Sequence, residues 1–276
     1  MLLACCIDRN YVELAGVMLR SVFKNGNIGD IDICILGDGL RSKDKLMITQ
    51  AAGRSVNFID MTQAMLSSIR YLKTTSFWSR AIYGRLLLPE IVGDRYQRIV
   101  YLDSDVIVKR DIRHLFELDM GDALIAGVAK HMPEHNKRLG RPEGSLYFNS
   151  GVFVLDATKW RAKNLTEKSI SLIKTNDFTF MDQDVLNIIA TDRFTVLPPI
   201  WNAEKGPFDD AAIVHFTHAK PDSVECRHPE RDLYFHFRAE TPWASSKLKT
   251  KRTRTIRRIK HSISYRLNAL KSKLVG

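Results

Sequence analysis

The sequence has no acidic residue after Glu240, although its 276 residues include 31 Asp and Glu. It also has no uncharged apolar run longer than about seven residues, far short of the roughly 20 that a membrane-spanning helix needs. This excludes a polytopic membrane protein. The four cysteines, Cys5, Cys6, Cys34 and Cys226, form no CxxC pair and no Cys/His metal spacing. We therefore expect reduced, mostly buried thiols in a cytosolic protein.

The missing acids make the charge strongly uneven along the chain. Lys and Arg number 42, which gives a net charge of +11, and 11 of them lie between Lys247 and Lys273. The rest of the chain is balanced, with 31 basic and 31 acidic residues. The excess charge therefore belongs to a C-terminal segment, and nucleic-acid binding would depend on that segment alone.

The C-terminal segment also has helical periodicity. Its apolar residues are spaced by three or four positions: Ile256, Ile259, Ile263, Leu267, Leu270 and Leu274. A basic amphipathic helix of this kind lies on anionic membrane surfaces, so we expect residues 247–275 to bind one. A helix packed on the protein body, or a dimer contact, is the alternative. We expect no nucleic-acid partner, because no aromatic stacking platform accompanies the charge.

Short apolar runs alternate with helical patterns over the first hundred residues. Strands are predicted over residues 2–7, 31–36, 56–59 and 98–102. Helices are predicted between them, including one over residues 42–52 with Ser42 as N-cap and one that ends at Pro89. This alternation indicates an α/β fold with a mainly parallel sheet flanked by helices.

The second half of the sequence is more mixed. Strands are predicted over residues 123–129, 152–156 and 213–215, and helices over 165–174 and 183–190. No linker rich in Pro, Gly or Ser interrupts the chain before about residue 240. We therefore expect one catalytic domain, 1–240, followed by a basic tail, 241–276.

The strand predicted at 98–102 runs directly into Asp103-Ser104-Asp105. Two carboxylates one residue apart at a strand end are costly to bury without compensation. A divalent cation that prefers oxygen ligands, Mg²⁺ or Mn²⁺, would neutralise them and bridge them to phosphate. Taken alone, such a pair also fits a polar turn between two strands.

Three motifs together resemble glycosyltransferase family 8. They are Tyr-Leu-Asp-Ser-Asp-Val at 101–106, Phe-Asn-Ser-Gly-Val at 148–152 and Met-Asp-Gln-Asp-Val-Leu-Asn at 181–187. The resemblance runs from about residue 1 to 221, and the layout is most similar to the bacterial lipopolysaccharide galactosyl- and glucosyltransferases. Glycogenin belongs to the same family. The resemblance implies a Rossmann-like GT-A fold, a UDP-sugar donor, Mn²⁺ (with Mg²⁺ as an alternative) and retention of anomeric configuration.

The resemblance also implies a donor-binding site. The uracil and ribose would contact the segment after the first strand, and the diphosphate and sugar would contact a helical arginine. The sugar hydroxyls would contact the second motif. The corresponding positions here are Asp8, Asn10, Tyr11, Arg85, Ser104, Asn149 and Ser150. Judged from the residues alone, Arg85 could instead pair with Glu90 or Asp94 on the surface.

Metal-binding and catalytic residues follow by the same resemblance. Asp103, Asp105 and His215 would ligate the metal, although a half-buried histidine within a strand is the alternative for His215. The residues expected to be catalytic are Asp182, Gln183 and Lys220. An acid before or in the first turn of a helix is also common, so Asp184 could have only that role.

The chain departs from the family pattern near its end. Many members have Gly-x-x-Lys-Pro-Trp, which closes over the diphosphate, whereas this chain has His218-Ala-Lys220-Pro221-Asp222. Lys220 and Pro221 are kept, His218 replaces the glycine, and Asp222 replaces the tryptophan. We expect Lys220 to contact the β-phosphate and His218 to hydrogen-bond the diphosphate through its side chain.

The expected function is therefore transfer of a hexose from UDP-glucose or UDP-galactose to a lipopolysaccharide core or another membrane-linked glycan. The loop over residues 130–146 would shape the acceptor side. The expected location is cytoplasmic, peripheral at the inner face of the membrane. Two alternatives remain: a self-glycosylating primer that uses Tyr234 or Tyr265, and a non-catalytic, basic-tailed binding protein.

Overall fold

A computed structural model describes residues 1–61, 80–191 and 193–250. The strands are β1 (Leu2–Asp8), β2 (Asp32–Asp38), β3 (Asn57–Asp60), β4 (Arg98–Leu102), β5 (Val106–Val108), β6 (Ile125–Lys130), β7 (Tyr147–Asp156), β8 (Phe194–Leu197) and β9 (Ile213–His215). The α-helices are α1 (Val12–Asn25), α2 (Ser42–Ala52), α3 (Gly84–Val92), α4 (Arg113–Glu117), α5 (Pro133–Arg138), α6 (Ala157–Ala162), α7 (Leu165–Thr175), α8 (Asp182–Ile189) and α9 (Arg231–Arg238). Most of the predicted basic tail lies outside the described residues.

Seven of these strands form one twisted sheet in the order β3-β2-β1-β4-β7-β6-β8. The neighbours β1–β2, β2–β3, β1–β4 and β6–β8 are parallel, whereas β7 is antiparallel to both β4 and β6. The predicted mainly parallel α/β sheet is therefore confirmed. Because β7 runs against β4, the start of β7 lies beside the carboxyl end of β4.

The sheet is buried on both faces, as its nearly continuous apolar strands require. One face packs against α1 and α2 through residues such as Met18, Leu19 and Ile48. The other face packs against α3, α6, α7 and α8, and its core includes Trp160, Leu86 and Leu186. These two layers hold the central strands rigidly, which fixes the positions of the strand ends.

A second, two-stranded sheet joins β5 to β9 in antiparallel register, with Val106 opposite His215. The chain enters β5 directly after Asp105. This pairing therefore brings His215 next to the Asp103–Asp105 turn, although the two segments are far apart in sequence.

Several predicted boundaries were wrong in detail. Arg41, not Ser42, is the N-cap of α2: its backbone N–H donates to Asp44 Oδ2 at 3.0 Å, and Ser42 is the first helical residue. The helix predicted to end at Pro89 continues to Val92, because burial of the Leu86–Pro89 stretch outweighs the one hydrogen bond that proline cannot donate.

The strand predicted from Val152 begins earlier, at Tyr147. The polar residues Asn149 and Ser150 lie within it, and polar residues conceal a strand in a hydrophobicity pattern. They are therefore held by the sheet rather than by a loop.

The described part of the predicted tail, residues 241–250, packs against the body. Trp243 is buried beside α1, so close to Gly16 that a side chain there would overlap the indole. Within residues 1–61, 80–191 and 193–250, no helix has the length and apolar character needed to cross a membrane.

Candidate active site

A cavity of about 440 Å³ opens at the carboxyl ends of β1 and β4, where ligands bind in open α/β sheets. The predicted site residues that line it come from all the motifs of the sequence analysis. They are Asp8, Tyr11, Arg85, Asp103, Ser104, Asp105, Asn149, Ser150, Asp182, Gln183, His215, His218 and Lys220. Asn10 is not among the lining residues.

Asp103, Asp105 and His215 form a compact cluster on one wall of this cavity. Their ligand atoms all lie within 4.8 Å of one another. Nε2 of His215 is 3.4 Å from Oδ1 of Asp105 and 4.0 Å from Oδ2 of Asp103. Two carboxylates with one imidazole suit a borderline divalent cation such as Mn²⁺.

The tautomer of His215 follows from a chain of hydrogen bonds. The backbone N–H of Gly151 donates to Oδ1 of Asn149 at 2.9 Å, and Nδ2 of Asn202 donates to the same oxygen at 3.1 Å. The remaining amide atom of Asn202, Oδ1, lies 2.9 Å from Nδ1 of His215 and must accept a hydrogen bond from the Nδ1–H group. Nδ1 of His215 therefore carries a proton, and Nε2 is the ring nitrogen that faces the two aspartates, where it would bind a metal as a neutral imidazole.

Gly151 permits this arrangement by its lack of a side chain. A Cβ atom on Gly151 would lie 2.2 Å from Cε1 of His215 and 2.9 Å from Oδ2 of Asp103. The backbone N–H of Asp103 also donates to the carbonyl of Gly151, at 2.7 Å. The glycine of the second motif thus lets β7 approach Asp103 and His215 directly.

Lys220 lies against the same cluster. Its ammonium group forms an ion pair with Oδ2 of Asp105 and donates to the carbonyls of Phe216 and Thr217 at 2.9 and 3.3 Å. Burial alone would raise the pKa of Asp105, but the nearby Lys220 and His215 outweigh it and hold that pKa well below its usual range. Asp105 is therefore ionised, with the ammonium of Lys220 as its partner.

Arg85 is buried and makes polar contacts with three segments. Its guanidinium donates to the carbonyl of Ser150 at 2.7 Å and to Oδ1 of Asp103 at 3.0 Å, and its Nε is 3.1 Å from Oδ2 of Asp182. It also stacks over the Tyr101 ring, 4.5 Å from the centroid. The surface pairing with Glu90 or Asp94 is therefore wrong.

Asp182 is the first residue of α8 and is only 6% exposed. Burial raises its pKa from 3.8 to about 6, although Arg85 partly opposes this effect and Asp103 adds to it. An acid that is costly to ionise at the wall of a cavity is a feature of functional sites rather than of stable cores.

Gln183 has its side-chain amide oriented by two partners. The backbone N–H of Ser150 donates to Oε1 at 3.0 Å, and Nε2 donates to the hydroxyl of Tyr147 at 2.9 Å. That hydroxyl in turn donates to Asp184 at 2.6 Å, and Asp184 also lies 2.7 Å from Nε2 of His135. Asp184 is fully buried and supports Gln183 from behind, which is more than the role of a first-turn acid.

The segment after β1 forms a tight turn at the other end of the cavity. The carboxylate of Asp8 accepts from the backbone N–H of Asn10 at 2.7 Å, and Tyr11 starts the turn into α1. Asn10 is exposed, and its backbone carbonyl accepts from Nζ of Lys249 at 2.9 Å. Asn10 therefore shapes the turn, while Asp8 and Tyr11 contact the cavity.

In the segment 218–222, which departs from the family pattern, His218 and Asp222 have different surroundings. His218 is exposed and lines the cavity. Asp222 points inward, is 2% exposed, and forms an ion pair with Lys249. The sequence offered no signal for this pair, because Lys249 belongs to the run of basic residues assigned to the tail.

Sequence reasoning also missed other residues around the cavity. The loop predicted to shape the acceptor side contributes Lys130 and Met132 to the lining, whereas Phe180, Asn202 and Thr217 were not predicted. Gly151 was also given no role, although the second motif includes it. The others lie in segments whose spacing carries no chemistry.

A Rossmann-like sheet with an acidic pair at the end of β4, a histidine from β9 and a lysine beside them defines a GT-A glycosyltransferase. The comparisons agree: the profile described as "Glycosyl transferase family 8" matches residues 2–222. The chain belongs to that family, and its relatives include lipopolysaccharide glucosyl- and galactosyltransferases.

Individual relatives support this assignment. General stress protein A of Bacillus subtilis (strain 168) is 30% identical over 270 residues, which cover 86% of this chain and 93% of that protein. Lipopolysaccharide 1,2-glucosyltransferase of Escherichia coli (strain K12) is 34% identical over 202 residues, 71% of this chain and 60% of that protein.

The fold has counterparts among solved structures. A crystal structure of the galactosyltransferase LgtC with donor and acceptor sugar analogues matches with a TM-score of 0.74 and 21% identity, over 88% of this chain and 96% of that one. A structure of an active-site mutant of LgtC matches with a TM-score of 0.77 and 20% identity over the same shares of the two chains. At this identity the match concerns the fold, which is GT-A.

Proposed function

We propose that this glycosyltransferase is metal-dependent and retaining, and that it transfers glucose or galactose from the UDP-sugar to a lipopolysaccharide core or another membrane-linked glycan. The observation that carries the proposal is the cluster of Asp103, Asp105 and His215, with Lys220 beside it, in one cavity. Such a set binds a diphosphate through a cation and stabilises it as a leaving group.

Asp103, Asp105 and His215 would hold Mn²⁺, or Mg²⁺ in its place. The cation would supply Lewis-acid stabilisation of the charge that develops on UDP. Lys220 would add its own charge at the β-phosphate, which requires that its ammonium leave Asp105. Asp8 and Tyr11 would contact the uracil and ribose, and His218 would hydrogen-bond the diphosphate.

The donor sugar would lie against Asn149, Ser150, Asp182 and Gln183. Arg85 orients three of these groups, because it contacts both Ser150 and Asp182 and Ser150 donates to Gln183. Double displacement would need a carboxylate nucleophile at the sugar carbon, and an amide such as Gln183 is a poor one. We therefore propose attack on the face from which UDP departs, with a phosphate oxygen taking the acceptor proton. A glycosyl-enzyme trapped at Asp182 would refute this.

The acceptor side is supported by two observations. Lys130 and Met132, from the start of the 130–146 loop, line the cavity, and two relatives are named as a lipopolysaccharide glucosyltransferase and a lipopolysaccharide galactosyltransferase. The basic segment at 247–275, apart from Lys249, which pairs with Asp222, would hold the enzyme at an anionic, cytoplasmic membrane face.

The self-glycosylating alternative has less support. Tyr234 is 1% exposed, and its hydroxyl lies 3.1 Å from Glu13, so it cannot present an acceptor oxygen without local unfolding. Tyr265 lies outside the described residues. Intact mass after incubation with UDP-glucose distinguishes the two functions, since only a primer gains hexose units.

The test is UDP release from a panel of UDP-sugars, with Mn²⁺, Mg²⁺ or EDTA. Water can take the place of the missing acceptor, so we expect one donor to give slow, metal-dependent release of UDP. Asp105→Asn should abolish it, whereas Asp122→Asn, the same change at an exposed acid, should not. No turnover with any donor, together with no metal-dependent UDP binding by calorimetry, would overturn the proposal.

A further inference from the structure

The ion pair between Asp222 and Lys249 is not an ordinary surface contact. The Asp222 side chain is 2% exposed and the Lys249 side chain 16%. Charges as buried as these are costly unless an opposite charge lies beside each of them. The pair therefore occupies a defined position inside the fold.

The backbone holds Lys249 as firmly as its side chain does. Its N–H donates to the carbonyl of Asp222 at 2.8 Å, and its carbonyl accepts from the N–H of Val224 at 3.0 Å. Ser223 and Lys249 form a parallel β-bridge. Lys249 is thus an added edge partner of the segment that follows Lys220.

The ammonium of Lys249 also reaches the opposite end of the cavity wall. Its Nζ donates to the backbone carbonyl of Asn10 at 2.9 Å. Asn10 is the middle of the turn whose two ends, Asp8 and Tyr11, line the cavity. A single side chain therefore ties the turn after β1 to the segment after β9.

We propose that Lys249, held by Asp222, is a positioning residue for the nucleotide part of the donor. The clasp, as we call Asp222, Lys249 and the Asn10 carbonyl, would set the distance between the turn that contacts the nucleoside and Lys220, which contacts the diphosphate. This inference rests on the proposed UDP-sugar donor. It also accounts for the aspartate at 222: its carboxylate fixes the lysine that joins the two halves of the site.

The clasp makes a specific kinetic prediction. Losing it should weaken binding of the nucleotide while leaving the metal cluster and the chemical step in place. We expect UDP affinity to fall about tenfold and donor KM to rise about tenfold, the size of one lost charge-assisted hydrogen bond, with kcat changed much less. Mn²⁺ binding in the absence of nucleotide should stay the same.

The variants are chosen to separate positioning from folding. Lys249→Met leaves Asp222 buried without a partner and can unfold the protein, so the central variant is Asp222→Asn with Lys249→Met, which removes both charges. Lys249→Arg keeps the positive charge and should keep most of the UDP affinity of the wild type. Lys109→Met is the matched control, because Lys109 also joins a carboxylate, Glu230, to a backbone carbonyl, Phe208, and does not line the cavity.

The measurements are UDP binding by calorimetry with saturating Mn²⁺, Mn²⁺ binding alone, and donor KM and kcat. A tenfold loss of UDP affinity in the double variant that is absent from both Lys109→Met and Lys249→Arg supports the clasp. Unchanged UDP affinity and KM in a folded double variant, or losses equal to those of Lys109→Met, overturn it while the proposed function stands. Failure of the wild type to bind UDP overturns the proposed function and the clasp together.

Discussion

The raised pKa of Asp182 predicts a pH-dependent penalty on folding that asparagine would remove. The ordinary pKa of 3.8 applies to the unfolded chain, whereas burial raises the folded value to about 6. The folded protein therefore binds this proton more tightly than the unfolded chain does. The resulting stability is present below pH 4 and is lost as the pH rises through 6.

The size of the effect follows from the two pKa values. Between pH 8 and pH 5, the metal-free wild type should gain roughly 1 to 2 kcal/mol in unfolding free energy relative to Asp182→Asn. Other titrating groups contribute equally to both proteins and cancel in the difference. Asparagine keeps the shape of the side chain and an oxygen for Arg85.

The assay is urea denaturation of wild type and Asp182→Asn in EDTA at pH 5 and pH 8. Asp122→Asn, at an exposed acid, should show no comparable pH dependence relative to wild type. We expect Asp182→Asn to rank higher in stability at pH 8 than at pH 5, relative to wild type. An equal difference at both pH values, or the opposite order, would mean that Arg85 outweighs burial, and would refute the reasoning.

Three further predictions concern the metal-ligand cluster. Gly151→Ala should lower Mn²⁺ affinity, because the added Cβ would overlap the His215 ring. The control for the Mn²⁺ titration is Gly29→Ala, where a Cβ meets nothing within 4 Å. Equal Mn²⁺ affinities of the two variants would contradict the prediction. Asn202→Ala should cost about 10- to 100-fold in Mn²⁺ affinity, as is typical when a partner that orients a metal-binding histidine is lost; an unchanged affinity would show that the tautomer is fixed by other means. Lys220→Met should bind Mn²⁺ alone about tenfold more tightly, because the variant lacks the ammonium group that competes for Asp105. The same variant should bind UDP more weakly in the presence of Mn²⁺. Electron paramagnetic resonance measures Mn²⁺ binding and calorimetry measures UDP binding, and weaker binding of Mn²⁺ alone would exclude the competition.

Much of the fold was predictable because its signals are local. The apolar runs that became β1, β2 and β4 are bounded by turn residues, and the Asp103–Asp105 pair lies at a strand end that hydropathy alone locates. The start of β7 was missed because Asn149 and Ser150 interrupt the apolar pattern. Arg41 was missed as an N-cap because its role depends on Asp44, three residues ahead.

The site was predictable only as far as the family motifs reach. Those motifs include the metal-ligand candidates and Arg85, whose burial gives no local signal. Asn202 and Lys249 could not be found, since each acts on a residue distant in sequence: Asn202 on His215 across a turn, and Lys249 on Asn10 from the other end of the chain. Their importance depends on tertiary proximity, which spacing does not encode.

The register of β5 with β9 has a consequence for how the enzyme is made. Asp105 and His215 meet only when Val106 pairs with His215, and pairing of such distant segments is slow because a long stretch of chain must first close into a loop. A growing chain in which β9 has not yet been synthesised cannot bring Asp103, Asp105 and His215 together. A cation that bridges Asp105 and His215 would stabilise this long-range pairing. The availability of the metal in the cell would then affect how much folded enzyme persists, as well as how fast each molecule turns over.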